Sequence, residues 1–477
     1  MEWIEYLHKG FNVFFFIYGS LLFISYLLIG VISSIELRFY TRRNKYFDFT
    51  KIATFKVLPS ISIIAPCYNE EMSIVDNIRS LLSLHYNSLE VIVVNDGSTD
   101  DSLKLVIQEY QLVKINYAYE HVIKTANVRG VYKSTNPSYS NLIVVDKENN
   151  GKGDALNAGV NISRSNLFLG IDVDCIIEPD ALYRMVKPFL EEYGMKKVIA
   201  SGGVIRVANS CTVENGQLTK VVFPKNIWAQ FQILEYFRAF ILSRMAWSRI
   251  NGLLIISGAF GLFDKDLVQK VGGYDTSTVG EDLELVIRMR KYMHEVEKVP
   301  YRIAFIPDPL CWTEVPDSLG VLYRQRNRWT RGLIDSLSKH RKMFGNPKYG
   351  RVGLIAFPFW VMFEWLGPVF EFIGITYFII MSALGRINLK FVLLYTIFVL
   401  AFSVLYSAFS VFSEKYLYDR YKGVSFMFKI FLISILEILI YHPLNVIFAL
   451  AGNFDFFIRG KRKGWGKMSR KGFKSDT

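Results

Sequence analysis

An uncharged apolar run of 25 residues at positions 11–35, matched later by apolar blocks at 353–384, 390–411 and 428–451, constrains this 477-residue chain more than any other feature. A run of that length spans a hydrocarbon core as a helix. Arg38, Arg42, Arg43 and Lys45 follow it at once, which places that flank on the cytoplasmic side. A cleaved signal peptide fits poorly, because the charge comes after the apolar run and the run is too long for one. Between the apolar regions, from residue 59 to 345, short β-rich segments alternate with amphipathic stretches, the pattern of an α/β domain with a largely parallel sheet. The expected layout is therefore a transmembrane helix and basic flank at 1–45 and a cytoplasmic α/β domain at 46–345. Transmembrane or interfacial helices follow at 346–452, then a basic interfacial tail at 453–477.

The formal charge of +13 raises nucleic acid as a partner, but its distribution points to lipid. From Arg459 onward there are eight basic residues and one acidic one, with Trp465 and Phe473 as interfacial rings, so headgroups explain the excess better. Cys67, Cys175, Cys211 and Cys311 lack the paired spacing of a zinc site or disulfide framework, which suits a reducing compartment. Three simple spans after the domain would leave the tail outside; a first block broken at Gly367-Pro368 into an extra crossing keeps it cytoplasmic, as expected here. Glu364, Glu371 and Glu437 lie within the apolar blocks, where they either face a bundle interior or mark segments at the interface. The stretch 228–247 mixes aromatics with Glu235, Arg238 and Arg244; the expectation is an interfacial amphipathic helix, with a packed surface helix as the alternative.

Strands are expected at 61–65, 91–94, 142–145, 167–171, 198–207 and near 255–263, and the early ones end in polar clusters. Cys67-Tyr68-Asn69-Glu70, Asn95-Asp96-Gly97-Ser98 and Asp172-Val173-Asp174 stand at such ends, where open α/β sheets bind ligands, so they should converge on one pocket. Asp172 and Asp174 can present hard oxygen ligands to a divalent cation held mainly by phosphates. Asp96 could bind a nucleobase or ribose, or simply cap the next helix. Lys152 lies in a glycine-flanked loop before a helix, where a point charge and backbone N–H groups can meet a phosphate; a plain flexible turn is the alternative, and the Walker pattern is absent. Glu281 and Asp282 open a helix, and Asp282 could act as general base, although acidic residues favour helix N-termini in any case. Gln325, Arg328 and Trp329 stand at i, i+3 and i+4 and share one helical face, suited to a sugar hydroxyl, a diphosphate and a sugar ring. A basic membrane-surface helix with a Trp anchor would read the same way.

Taken in order, these motifs resemble the membrane-embedded, processive family 2 glycosyltransferases, which include bacterial poly-N-acetylglucosamine, cellulose and hyaluronan synthases and chitin synthase. The resemblance implies a GT-A-like (Rossmann-like) α/β cytoplasmic domain with interfacial helices, flanked by transmembrane α-helices. It implies inverting transfer from a UDP-sugar to the growing end of a β-linked polysaccharide at the cell membrane, with N-acetylglucosamine the favoured sugar and export of the chain. Asp96 resembles the uridine-contacting aspartate, and Asn69 with Glu70 the turn closing the nucleotide pocket. Lys152 matches the nucleotide-contacting lysine. Asp172 and Asp174 match the DxD that binds the donor and its Mg2+ or Mn2+. Glu281 and Asp282 match the end of T-E-D, with Asp282 the base, and Gln325, Arg328 and Trp329 match Q-x-x-R-W on the acceptor and diphosphate side. Ser257 and Gly258 resemble the small-residue strand lining the acceptor site. Gly280 departs from the family's threonine and Gly153 from its alanine. The implied partners are a UDP-sugar, a polysaccharide acceptor, the lipid bilayer and a small membrane or export subunit, with no nucleic acid. The competing readings are single-sugar transfer to a lipid phosphate or glycolipid and, from another class, a membrane transport or scaffold protein. The Q-x-x-R-W match speaks against the first and the intact carboxylates against the second.

Overall fold

The computed structural model describes residues 2–55, 58–191, 194–214, 216–386, 389–421 and 424–461. The expected interfacial tail, including Trp465 and Phe473, lies mostly outside them. Among the described residues, twelve strands form in chain order: β1 Ile61–Cys67, β2 Leu89–Asp96, β3 Leu112–Ile115, β4 Val128–Ser134, β5 Leu142–Lys147, β6 Leu167–Ile171, β7 Ile176–Ile177, β8 Lys197–Val207, β9 Thr212–Glu214, β10 Gln217–Lys220, β11 Phe260–Asp264 and β12 Tyr301–Thr313. Ten of them make one sheet in the order β3-β4-β5-β2-β1-β6-β11-β8-β12-β7, and β9 and β10 pair separately. β1, β2, β5 and β6 are parallel, their Val/Ile/Leu runs buried because helices cover both faces.

The sheet is mixed rather than largely parallel. β8 and β12 form a second parallel pair, and β11 joins the two groups by running antiparallel to both β6 and β8. After β8 the chain enters a helical annex and returns at the carboxyl edge of the sheet, so Phe260 starts opposite Ile171, the last residue of β6, and the strand must run backwards. The segment before it, expected to begin a strand at 255, is irregular up to Phe260. Arginine side chains take its carbonyls instead of a neighbouring strand: Arg290 Nε donates to Leu253 O at 2.7 Å and Arg244 Nε to Ile256 O at 2.9 Å.

The annex, Ile227–Tyr236 continuing through Phe237–Arg244 and Met245–Arg249, packs on β8 and β12 below and on the apolar helices Leu389–Leu417 and Val424–Leu436 above. Phe231, Leu234, Phe237, Ile241 and Leu242 are buried, so the segment is apolar on both sides, not one-faced as an amphipathic surface helix would be. Two of its charges are paired with other helices: Arg238 grips Glu437 at 2.8 and 3.0 Å, and Glu235 holds Arg326.

Among the described residues, three helical stretches are long and apolar enough to cross a membrane, His8–Asn44, Val392–Leu417 and Phe426–Phe457. A fourth apolar unit, Val352–Trp365 with Gly367–Ala383, bends by 45°. The break falls where the sequence places Gly367-Pro368: proline lacks an amide hydrogen and is tolerated only in the first turn of the second helix. Pro443 likewise sits in the first turn of His442–Phe457. Many apolar side chains on these helices, among them Phe16, Leu394 and Ile447, are exposed, as lipid-facing residues are.

Candidate active site

The loops that follow β1 and β2 are knitted together by short polar side chains. Asn69, at φ 56°, accepts from Thr99 N at 2.8 Å through its side chain, while its own N–H donates to Ser98 Oγ at 3.0 Å. Glu70 N donates to Ser102 Oγ at 2.9 Å. Asp96 ends β2 almost fully buried, with Oδ1 accepting from Lys147 Nζ at 2.5 Å and Asn150 N at 3.1 Å, and Oδ2 from Gly151 N at 2.8 Å. A carboxylate has about four acceptor directions, so roughly one remains for another donor. Lys147, fully buried, also pairs with Asp154 at 2.7 Å. Sequence reasoning missed this Asp96–Lys147–Asp154 buckle, although Lys147 stands at a strand end like the residues it did select.

The buckle fixes the loop that turns at Gly151, φ 90°, into the helix Lys152–Ile162. Lys152 at its start forms an ion pair with Asp172 and donates to Gly258 O at 2.9 Å. Burial alone would lower the Lys152 pKa, but Asp172 and then Glu281 outweigh it and hold it above the usual lysine range. Gly258 in turn faces Asp282: a Cβ at 258 would stand 2.9 Å from Asp282 Oδ2. Only a glycine lets the backbone approach so closely. Asp282 and Glu281 open the helix Glu281–Tyr292, where Leu283 N donates to Asp282 Oδ1 at 2.8 Å. Burial pushes the Glu281 carboxyl up to about 7, with Asp282 adding to this and Lys152 and Arg328 opposing it. Asp174 is buried two residues beyond Asp172. Ser257 and Gly258 form a turn before β11 rather than part of a strand, since the Ser257 carbonyl and hydroxyl accept from Phe260 N and Ala259 N.

The Gln325–Trp329 run lies in the helix Leu319–Lys339. Arg328 is buried, Trp329 is 40% exposed, and the buried Gln325 Oε1 has no hydrogen-bond partner among the described residues. This helix meets the Asp282 helix through two glycines: a Cβ on Gly280 would come within 2.8 Å of the Gly332 backbone, and one on Gly332 equally close to Gly280. The contact explains why Gly280 stands where threonine was expected. Gly153 is different, since a Cβ there meets Tyr274 Cβ at an ordinary 3.6 Å.

The structure thus brings Lys152, Asp172, Gly258, Glu281, Asp282 and Arg328 to one centre, with Asp174 beside it. Asp96, Asn69 and Glu70 lie on the β1–β2 side, and Gln325 and Trp329 lie along the next helix. A mixed α/β sheet with lysine and carboxylates gathered at its carboxyl edge has the GT-A architecture, and apolar helices long enough to cross a membrane flank it. The family model described as "Glycosyl transferase family 2" matches residues 62–270, and that described as "Glycosyl transferase family group 2" matches 204–410. Both models describe family 2 glycosyltransferases and together they match residues 62–410, so the protein is a glycosyltransferase that resembles that family. It is similar to a poly-β-1,6-N-acetyl-D-glucosamine synthase of Staphylococcus aureus (strain COL), 29% identical over 68% of this chain and 66% of the relative. A synthase of the same name from Staphylococcus epidermidis is 28% identical over 57% of this chain and 54% of its own length. The chain therefore spans just under two thirds of the length of the first of these relatives. Among solved structures, the Pyrobaculum calidifontis mannosyltransferase PcManGT, in complex with GDP-Man and Mn2+, shares the fold, with a TM-score of 0.50 at 18% identity, covering 86% of this chain and 99% of that one.

Proposed function

We propose that the protein transfers N-acetylglucosamine from UDP-N-acetylglucosamine to the growing end of a β-linked polysaccharide, with the catalytic domain on the cytoplasmic side of a cell membrane. One observation carries the reading: Lys152 bonds Asp172 on the donor side and Gly258 O on the acceptor side, and Gly258 abuts Asp282, so both halves of a transfer site share one floor. The choice of sugar rests on the relatives, whose names specify N-acetyl-D-glucosamine polymers.

In this reading an acceptor hydroxyl oxygen bonds to the anomeric carbon as the bond from that carbon to the β-phosphate oxygen breaks, with inversion, and UDP leaves. Asp282 takes the hydroxyl proton. Lys152 and Arg328 meet the negative charge that grows on the diphosphate, an electrostatic contribution that is usually the largest in catalysis. Asn69, Glu70 and Asp96 hold the nucleotide, while Gln325, Trp329, Ser257 and Gly258 line the acceptor. Asp172 and Asp174 are two hard oxygen donors, and no group of three or more His, Cys, Asp or Glu side chains among the described residues could hold a metal by itself. Such a pair suits Mg2+ or Mn2+ sharing its coordination with phosphates, which would neutralise the leaving diphosphate when bound. Export of the product through the apolar helices, with any small membrane partner acting at that step, completes the proposal.

Purified protein in proteoliposomes, offered a panel of UDP-sugars with and without divalent cation, tests it. Expected are cation-dependent UDP release with UDP-N-acetylglucosamine and a product of many units inside vesicles whose catalytic domain faces out. Preference for another sugar or a single-sugar product would overturn the polymer assignment, and polymer found only outside would remove export.

A further inference from the structure

The basic end of the Glu2–Asn44 helix forms one wall of a 430 Å³ cavity whose other walls include the residue before β8, the start of β12 and Arg351. Arg43, Lys196, Arg249, Arg302 and Arg351 line it against one carboxylate, Glu36. Glu36 is already committed, 2.8 Å from Arg249 and 3.7 Å from Arg302, and Arg43 lies 3.6 Å from Glu191. Lys196 and Arg351 are exposed and make no ion pair or side-chain hydrogen bond among the described residues. Five cations against two carboxylates leave the cavity with a net positive charge, and an anion bound among them offsets it.

The depth of the cavity identifies the anion. The apolar run 11–35 ends one residue before Glu36, and the apolar segment 352–365 begins one residue after Arg351, so the cavity lies at the level where two hydrophobic segments stop. Phe39, which lines it, is exposed and apolar, and so are Leu354 and Ile355, three and four residues on from Arg351 in the chain. A ligand that fits has phosphate charge on the protein side and hydrocarbon on the membrane side. No residue assigned to sugar transfer lines the cavity; it opens at the amino ends of β8 and β12, whereas the transfer site lies at the carboxyl edge.

We propose that this cavity binds the headgroup of an anionic membrane phospholipid and so fixes the depth of the catalytic domain against the bilayer. Native mass spectrometry of the detergent-purified full chain, titrated with phosphatidylglycerol or phosphatidylcholine, tests this. Wild type should retain phosphatidylglycerol in preference. The Lys196→Ala/Arg351→Ala variant should bind it roughly tenfold or more weakly, from the loss of two headgroup contacts, and Lys196→Arg/Arg351→Lys should resemble wild type. The single alanine variants, each losing part of the preference, carry the test if the double variant expresses poorly. Equal retention of the two lipids, unchanged binding in the alanine variants, or displacement of the lipid by millimolar inorganic phosphate would each overturn the proposal, the last by making free phosphate the ligand.

Discussion

Arg326 and Glu235 form a two-pronged ion pair, Nη1 to Oε1 at 2.6 Å and Nη2 to Oε2 at 2.8 Å, which ties the helix carrying Gln325, Arg328 and Trp329 to the annex beneath the membrane helices. Tyr441, from an apolar helix, accepts from Arg326 at 2.9 Å and donates to Glu235 at 2.7 Å. The Arg326 guanidinium also lies 4.3 Å from the Trp329 ring centroid. Three layers of the molecule thus meet at one guanidinium. Removing one partner of a fully buried pair costs about 3–5 kcal/mol; Glu235 is 26% exposed, so the lower part of that range is expected. Glu235→Gln should lower thermal stability and transfer activity together, and Arg326→Lys should not restore the two-pronged geometry. A double-mutant cycle on unfolding should give a coupling above about 1 kcal/mol, and additive single effects would refute the pairing.

Two glycines that depart from the family pattern should behave in opposite ways. Gly280→Thr drives a side chain into the Gly332 backbone, which cannot retreat as a flexible side chain could. Overpacking of this kind costs about 1–3 kcal/mol, and more where backbone is struck. Gly153→Ala meets only ordinary contacts inside a helix and should be neutral or stabilising by up to about 1 kcal/mol. Thermal unfolding of the two variants in the same detergent would show the contrast; equal shifts would mean that the Gly280 contact is relaxed in solution.

The Glu281 carboxyl gives a pH dependence with a definite sign. Its folded value of about 7 lies above the ordinary 4.5, so the folded state holds the proton more tightly than the unfolded state. Its contribution to stability, roughly 3 kcal/mol for a shift of this size, is complete below about pH 4.5 and lost as pH rises through 7. Melting temperatures of the ligand-free protein should therefore fall more steeply between pH 5 and 7.5 in wild type than in Glu281→Gln. Parallel curves would contradict a neutral, buried Glu281.

The proposed roles of the aspartates separate binding from chemistry. Asp282→Asn should keep UDP affinity and lose transfer by about a hundredfold or more, the usual consequence of removing a catalytic group worth a few kcal/mol. Asp174→Ala should instead weaken UDP-sugar binding and abolish its dependence on divalent cation. Near-normal turnover in the first variant, or cation-independent affinity in wild type, would remove the respective assignment.

How much of this could be read from the residues depended on whether a partner lay nearby in sequence. β1, β2, β5 and β6 announced themselves as buried Val/Ile runs, and their polar ends are local features, so Asp96, Lys152 and Asp172 stood out before any fold was known. The turn at Ser257 and Gly258 resembled a strand because its residues are small and apolar; what holds it open is Arg244 and Arg290, from segments that sequence order does not bring near. The annex resembled a surface helix because Glu235, Arg238 and Arg244 look solvent-bound until Arg326 and Glu437 are placed against the first two. The Gly280–Gly332 contact joins residues 52 positions apart and leaves no local signature.

That glycine contact also bears on how such an enzyme could diversify. With backbone resting on backbone, the separation between the helix bearing Asp282 and the helix bearing Gln325 and Trp329 is a fixed dimension of the scaffold, unaffected by exchange of those two side chains. Under the proposed roles, substitutions at 325 or 329 would reshape the acceptor rim while Asp282, the proposed base, keeps its position. In protein engineering, new acceptors are best sought at those two positions, with the seam at 280 and 332 left untouched.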